Sequence, residues 1–208
     1  MAISVKVVFM PKQVPQSTSP DYEDPMVGRI LDAAEQCIRR FGIRRTSMGE
    51  VARVGGISRG SIYNHFGDKD SLVEGVFRRR QQLFLNRTEA VLEQESSLVD
   101  KLTRSVVEAR RDMGEGIFAS LAETEPETVA MMFLDPRFYA RSVAFWPPHI
   151  RLAQEAGEIG AELDVAMATD FIMRLMVSLV MFPHMGVELK TEREVRRYLH
   201  QVVARGLG

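Results

Sequence analysis

Within the eleven residues from Arg59 to Lys69, six side chains carry tips suited to hydrogen bonding with a nucleic acid. Arg59 can address guanine, Asn64 can address adenine, and Ser61 can address either. Tyr63 and His65 suit phosphate oxygens, and Lys69 sets a charge beside the free N–H groups that open a helix. Acid–base catalysis would draw on some of the same residue types. On one helix, however, Tyr63 and His65 are two apart and point about 200° away from each other. No Ser-His-Asp arrangement or carboxylate pair can be placed beside them, so no catalytic residue is assigned. His149, His184 and His200 lack ligand spacing such as H-x-x-x-H, and neither a metal nor another cofactor is expected.

These side chains need elements to position them. The stretch "GGISRGSIYNHFGDK" (55–69) is poor in helix formers, so packing rather than propensity has to hold a helix there. Ile62 and Phe66, four apart, are the buried pair that fastens it, Ser58 caps it and Gly67 ends it. Gly55-Gly56 supply a tight turn, anchored by Ile57, from a preceding short helix. That helix starts at Ser47, which has capping-box spacing to Glu50, and turns Val51, Ala52 and Val54 inward. Before it, Ile30, Ala33, Ala34, Cys37, Ile38 and Phe41 predict an amphipathic helix from Val27 to Gly42, with Cys37 as core. After it, Asp68 caps a helix with Leu72, Val76, Phe77, Leu83 and Phe84 on one face. Arg78, Arg79 and Arg80 cross that helix toward solvent. A bracing helix followed by two short helices and a three-residue turn is a helix-turn-helix, whose second helix enters the major groove.

The charge distribution points the same way. Residues 26–90 hold 12 Lys/Arg against 7 Asp/Glu, or +5, while residues 91–208 hold 13 against 18, or −5. A basic front and an acidic back fit a polyanion at one end and another partner at the other. With 45% hydrophobic residues in 208, the chain can bury a sizeable core. Its single cysteine excludes an internal disulfide framework. The longest apolar run (171–182) is broken by Arg174 and is shorter than a membrane span. A soluble, cytoplasmic protein without signal peptide or membrane partner is expected. Residues 1–25, with four of the nine prolines, read as a flexible arm in which 3–9 could pair briefly as a strand.

The residues Thr46, Val51-Ala52, Gly56-Ile57-Ser58, Gly60-Ser61-Ile62-Tyr63, His65-Phe66, Lys69 and Leu72 stand at fixed spacings. In that pattern the chain resembles the DNA-binding segment of the Tet repressor (TetR) family of bacterial transcription regulators. Gly55 stands where that family usually has alanine, and Gly49 lies inside the second helix. The resemblance implies phosphate clamping by Thr46, Tyr63, His65 and Lys69, and groove contacts by Arg59, Ser61 and Asn64, with Arg44 and Arg45 near the DNA backbone. With the capping residues Ser47 and Ser58, these form the DNA-facing set. The resemblance also implies an all-α fold: a three-helix DNA-binding domain over 26–86 (helix-turn-helix about 47–66), then a ligand-binding and dimerisation domain over 87–208.

The second part reads as helix throughout, with breaks at Pro126, Pro136, Pro147-Pro148, Gly157/Gly160 and 183–186, giving nine or ten helices in all. Residues 164–182 are apolar nearly all round, as in a helix buried on most faces, with Asp170 and Arg174 spaced for an ion pair. A last helix (191–207) carries a second apolar stripe. Phe171, Leu175 and Leu179 on the first, with Tyr198, Leu199 and Val202 on the second, are expected to form a four-helix homodimer interface. Between Met113 and Ala153 large soft side chains gather, and by resemblance they line a small-molecule pocket. Met113, Phe118, Met132, Phe138, Phe145, Trp146 and His149 are its expected lining, closed by Met173 and Met176. An elongated apolar effector such as an acyl or steroid-like chain would suit it. The expected function is that of a ligand-responsive, sequence-specific regulator, a repressor released from a near-palindromic double-stranded DNA operator by its effector. The competing reading is a helical small-molecule-binding protein or enzyme whose helix-turn-helix-like segment is incidental.

Overall fold

Helix α1 (Pro25–Arg45) begins where Asp24 accepts a hydrogen bond from the Met26 N–H at 2.7 Å and Pro25 takes the first helical position. A computed structural model describes residues 22–206 of the chain. The expected strand at 3–9 and most of the expected arm therefore lie outside the described residues. Its last residues are engaged: the Tyr22 ring packs on the first core and stacks 4.6 Å from the Arg78 guanidinium carbon. The helix starts two residues earlier than the periodicity suggests. Its helical backbone breaks at Gly42 as expected, where φ +76° and ψ 169° kink the chain before the short last turn to Arg45.

The next three helices follow the sequence pattern closely. Helix α2 (Met48–Gly55) is capped by Ser47, α3 (Arg59–Phe66) by Ser58 and α4 (Lys69–Leu92) by Asp68. Gly56 closes α2 in the left-handed conformation, where a Cβ would be strained. The capping box expected at Ser47 is half made. Ser47 Oγ accepts from Glu50 N, but the Glu50 carboxylate turns to Arg53 (3.0 Å) instead of reaching back.

Seven more α-helices follow: α5 (Leu98–Met113), α6 (Gly116–Thr124), α7 (Pro126–Phe133), α8 (Pro136–Phe145), α9 (Pro147–Glu155), α10 (Val165–Met181) and α11 (Glu192–Leu199). The last runs on into a π-helical turn at His200–Ala204. The described residues thus hold eleven α-helices and no strand, rather than nine or ten helices. The breaks at Pro126, Pro136 and Pro147 fall where expected, and the additional ones lie at 93–97 and 114–115, between α4, α5 and α6.

Two apolar cores organise the molecule. One joins α1–α4 to Ile117, Phe118, Leu121 and Val129 of α6 and α7. The other joins the end of α4 to α5, α9, α10 and α11. Along α4 the two cores change over between Phe77 and Leu92, on either side of residue 86, and the first core also takes in α6 and α7. Polar bonds reinforce the first junction: Ser120 donates to Arg39 O at 2.7 Å, and the buried Glu125 carboxylate accepts from Arg44 N at 3.0 Å. A Cβ at Gly42 would collide with that carboxylate.

Within the second core, α10 and α11 each correct an expectation. Leu179 and Leu199 are buried inside the single chain rather than offered to a second one. Steps of four residues advance 400°, so the row Phe171, Leu175, Leu179 winds from the surface into the core. The outward face is instead Met167 (74% exposed), Phe171 (42%), Ser178 and Phe182, with Leu175 half-buried beside it. Leu199 lies a quarter turn from Tyr198, which stays half-buried with Val202. The expected Asp170–Arg174 pair is present at 2.6 Å, and Tyr139 donates to the same carboxylate.

The Arg78–Arg80 row is also corrected. Only Arg78 is exposed. Arg79 bonds Asp32 at 2.7 Å and Arg80 bonds Asp112 at 3.1 Å, both guanidinium groups lying near Glu35. They tie α4 to α1 and α5. Leu83, expected on the apolar face, is exposed, because one residue before Phe84 lies a quarter turn away.

Candidate functional site

Helix α3 is eight residues long and rests on two buried side chains, Ile62 and Phe66. Everything else on it follows from that anchoring. Arg59, Tyr63 and Asn64 stand exposed, and Ser61 and His65 are half-exposed on its flanks. Tyr63 is 50% exposed, and the Tyr63, Asn64 and His65 tips form no hydrogen bond among the described residues. An aromatic ring and two polar tips so presented gain nothing for the fold.

The neighbouring elements extend this face with positive charge. Lys69 Nζ reaches back to the Arg44 carbonyl at 3.2 Å, which places it beside the end of α1. Arg45 is exposed there, and Arg44 pairs with Glu127 of α7. Ser47 and Ser58 are exposed, each with its hydroxyl oxygen accepting from the backbone N–H three residues on. Thr46 departs from expectation. It is 2% exposed and its hydroxyl donates to Gly42 O at 2.7 Å, so it closes the α1–α2 junction instead of presenting itself to a polyanion.

Gly49 acquires a reason that the sequence did not supply. A Cβ there would lie 2.7 Å from Arg59 Nη2, so the bare backbone of α2 makes a seat for the Arg59 guanidinium. Gly49→Ala is expected to raise stability by about 0.5–1 kcal/mol through helix propensity while displacing Arg59. Thermal unfolding paired with a binding-site selection checks this. Higher stability with an unchanged preferred site would refute the seating role.

The second site is a cavity of about 110 Å³ between α4, α5, α6, α7, α8 and α10. Eight of the nine expected residues line it: Met113, Phe118, Met132, Phe138, Phe145, Trp146, Met173 and Met176. His149 does not. It is buried on α9 with Nε2 3.1 Å from Glu89, and its ring backs the cavity wall 5.1 Å from the Phe145 centroid.

Sequence reading missed the wall from α4, made by Arg80, Gln81, Phe84, Leu85 and Thr88. Their i, i+4, i+8 spacing was visible, but polar residues among the apolar ones disguised it as a solvated face. Ser105, Asp112 and Ser142 complete the polar lining. Gln81 donates to Phe138 O and Ser142 Oγ, both at 2.8 Å, and so pins α8 to α4. Helix α4 thus begins under the exposed helix and ends along the cavity. Among the described residues no helix is long and apolar enough to cross a membrane.

The model for bacterial regulatory proteins of the tetR family matches residues 30–76, from α1 into α4. The HTH-type transcriptional regulator UidR of Escherichia coli (strain K12) is 25% identical over 162 residues, which is 73% of this chain and 78% of that one. A TetR-family transcriptional regulator from Pectobacterium atrosepticum has the same fold. It superposes with a TM-score of 0.67 at 17% identity over 87% of this chain and 93% of its own. FadR of Bacillus subtilis, solved in complex with stearoyl-CoA, gives 0.57 at 19% identity over 83% and 96%.

Proposed function

We infer the working of this chain from one premise: it belongs to the TetR family of bacterial regulatory proteins. It is a DNA-binding transcription regulator that responds to a small molecule. The observation that carries the reading is the α3 surface, where a short helix held by Ile62 and Phe66 leaves Arg59, Tyr63, Asn64 and His65 without structural work.

In the proposed complex α3 lies in the major groove. Arg59, Ser61 and Asn64 face base edges, while Tyr63, His65 and Lys69 hold phosphates, with Arg44, Arg45 and the exposed caps Ser47 and Ser58 along the backbone. Thr46 serves by shaping the junction under them. The active form is a homodimer on a near-palindromic operator, since two recognition helices need half-sites about 34 Å apart. The outward face of α10 (Met167, Phe171, Leu175), with Tyr198 and Val202, supports the pairing surface. The cavity takes a mainly apolar effector. Its occupation shifts α4, which carries the cavity wall at one end and Lys69 at the other, and releases the operator. The protein acts as a cytoplasmic repressor over residues divided into a DNA-binding front and an effector-binding back.

Selection from genomic fragments followed by sequencing tests the reading directly. A single enriched, near-palindromic site is expected, with affinity falling steeply in salt. Lys69→Ala is expected to weaken binding to all sequences and lower the salt slope by about one, whereas Arg59→Ala relaxes choice at one or two positions. Recovery of fragments without any preferred sequence would overturn the proposal.

A further inference from the structure

The hydrogen-bonding capacity of the cavity wall is almost wholly spent. Gln81 is bonded at both ends, to Phe138 O, Ser142 Oγ and Arg141 Nε. Ser105 donates to Lys101 O and Ser142 to Phe138 O. Two buried polar atoms of the lining residues have no partner: Arg80 Nε and Thr88 Oγ1. A buried donor left without an acceptor is costly, and an interior site is selective for the molecule that supplies one.

The charges of the wall are balanced too. Arg80 bonds Asp112 and lies 3.6 Å from Glu35. Arg87 bonds the same Asp112 oxygen at 2.7 Å, and Arg79 holds Asp32. Of these groups only Arg80 and Asp112 line the cavity, and they neutralise each other. A charged ligand group entering beside that pair would leave one ion uncompensated in a poorly solvated place.

Arg80 and Thr88 lie eight residues apart on α4, with Phe84 and Leu85 lining the wall between them. At 1.5 Å per residue the two positions are about 12 Å apart along the axis and roughly 80° apart around it, on one broad face. We propose that the cavity selects an elongated, uncharged and mainly apolar molecule with a hydrogen-bonding oxygen toward each end. One oxygen accepts from Arg80 Nε–H and the other pairs with the Thr88 hydroxyl. This rests on the reading of the cavity as the effector site.

Trp146 is the only tryptophan in the chain and lines the cavity, so its fluorescence reports occupancy. Titrations of the full chain with 1,9-nonanediol, 1-nonanol and nonanoate give the test. The diol is expected to bind at least about tenfold more tightly than nonanoate and more tightly than the alcohol, despite its greater hydration. In Thr88→Val, which keeps the side chain's shape, the preference for diol over alcohol should vanish while 1-nonanol binds as before. Thr88→Ser should restore it. Nonanoate binding as tightly as the diol, or an unchanged diol-to-alcohol ratio in Thr88→Val, overturns the proposal but leaves the cavity a ligand site. Silence of Trp146 toward all three probes, with no shift in melting temperature, overturns both.

Discussion

Phe66→Ala should destabilise the front of the molecule by about 3–5 kcal/mol, as expected for a fully buried ring removed from a core. Phe66 is 3% exposed, and its ring packs so closely on α4 that a Cβ at Gly75 would lie 2.7 Å from it. Against a total stability of roughly 5–15 kcal/mol, that loss is severe. The consequence for DNA is larger than for most core positions. An isolated helix of eight residues is not stable in water, and α3 contains glycine, serine and asparagine besides. Without its anchor the helix frays, and affinity should fall for every sequence together. Phe66→Leu, which keeps most of the buried surface, should retain most of both. Chemical denaturation and operator titration well below the unfolding midpoint read the two effects. Wild-type affinity in Phe66→Ala under those conditions would disprove that packing alone holds the recognition helix.

Phe171→Glu is expected to split the proposed homodimer. In the proposed pairing, the exposed face of α10 with this ring, Met167 and Leu175 meets the same residues of a second chain across a two-fold axis. Two carboxylates would then meet in an apolar interface and each lose its hydration. Once the heads are separate, binding of the second half-site is no longer intramolecular, and operator affinity should drop by about 10²- to 10⁴-fold. Sedimentation analysis at micromolar concentration reads the assembly. Leu83→Glu, at an exposed leucine on α4, is the control expected to change neither. A Phe171→Glu protein that sediments as a dimer would move the pairing surface elsewhere.

The sequence was most legible where local rules and tertiary demands agree. Ser58, Asp68 and Gly56 sit at the helix ends that their chemistry suggests, and Ile62 and Phe66 are buried where their spacing puts them. The soft side chains between Met113 and Ala153 fit a packed core as well as a pocket, and the resemblance is what pointed to a cavity there. What failed depended on rotation or on distant partners. Leu179 and Leu199 belong to apolar stripes, but a stripe does not say which part of its winding meets its own chain. His149 was drawn away by Glu89, sixty residues earlier. Thr46 was spent on the kink at Gly42, whose carbonyl takes its hydroxyl, a detail that spacing does not record. The α4 wall was missed because its arginines find carboxylates on α1 and α5, a pairing with no local signature.

The shared core of α1–α4 with α6 and α7 bears on how such regulators could be recombined. A chimera that grafts this chain's front onto another protein's back at the end of α4 would leave behind Ile117, Phe118, Leu121 and Val129. It would also strip Arg44 N of the Glu125 carboxylate and Arg39 O of the Ser120 hydroxyl. The transplantable unit is therefore discontinuous: the first four helices together with the α6–α7 corner, re-entering the sequence after α5. Grafts that respect this seam keep the first core whole, and a new sensory back inherits the corner along with the head it must move.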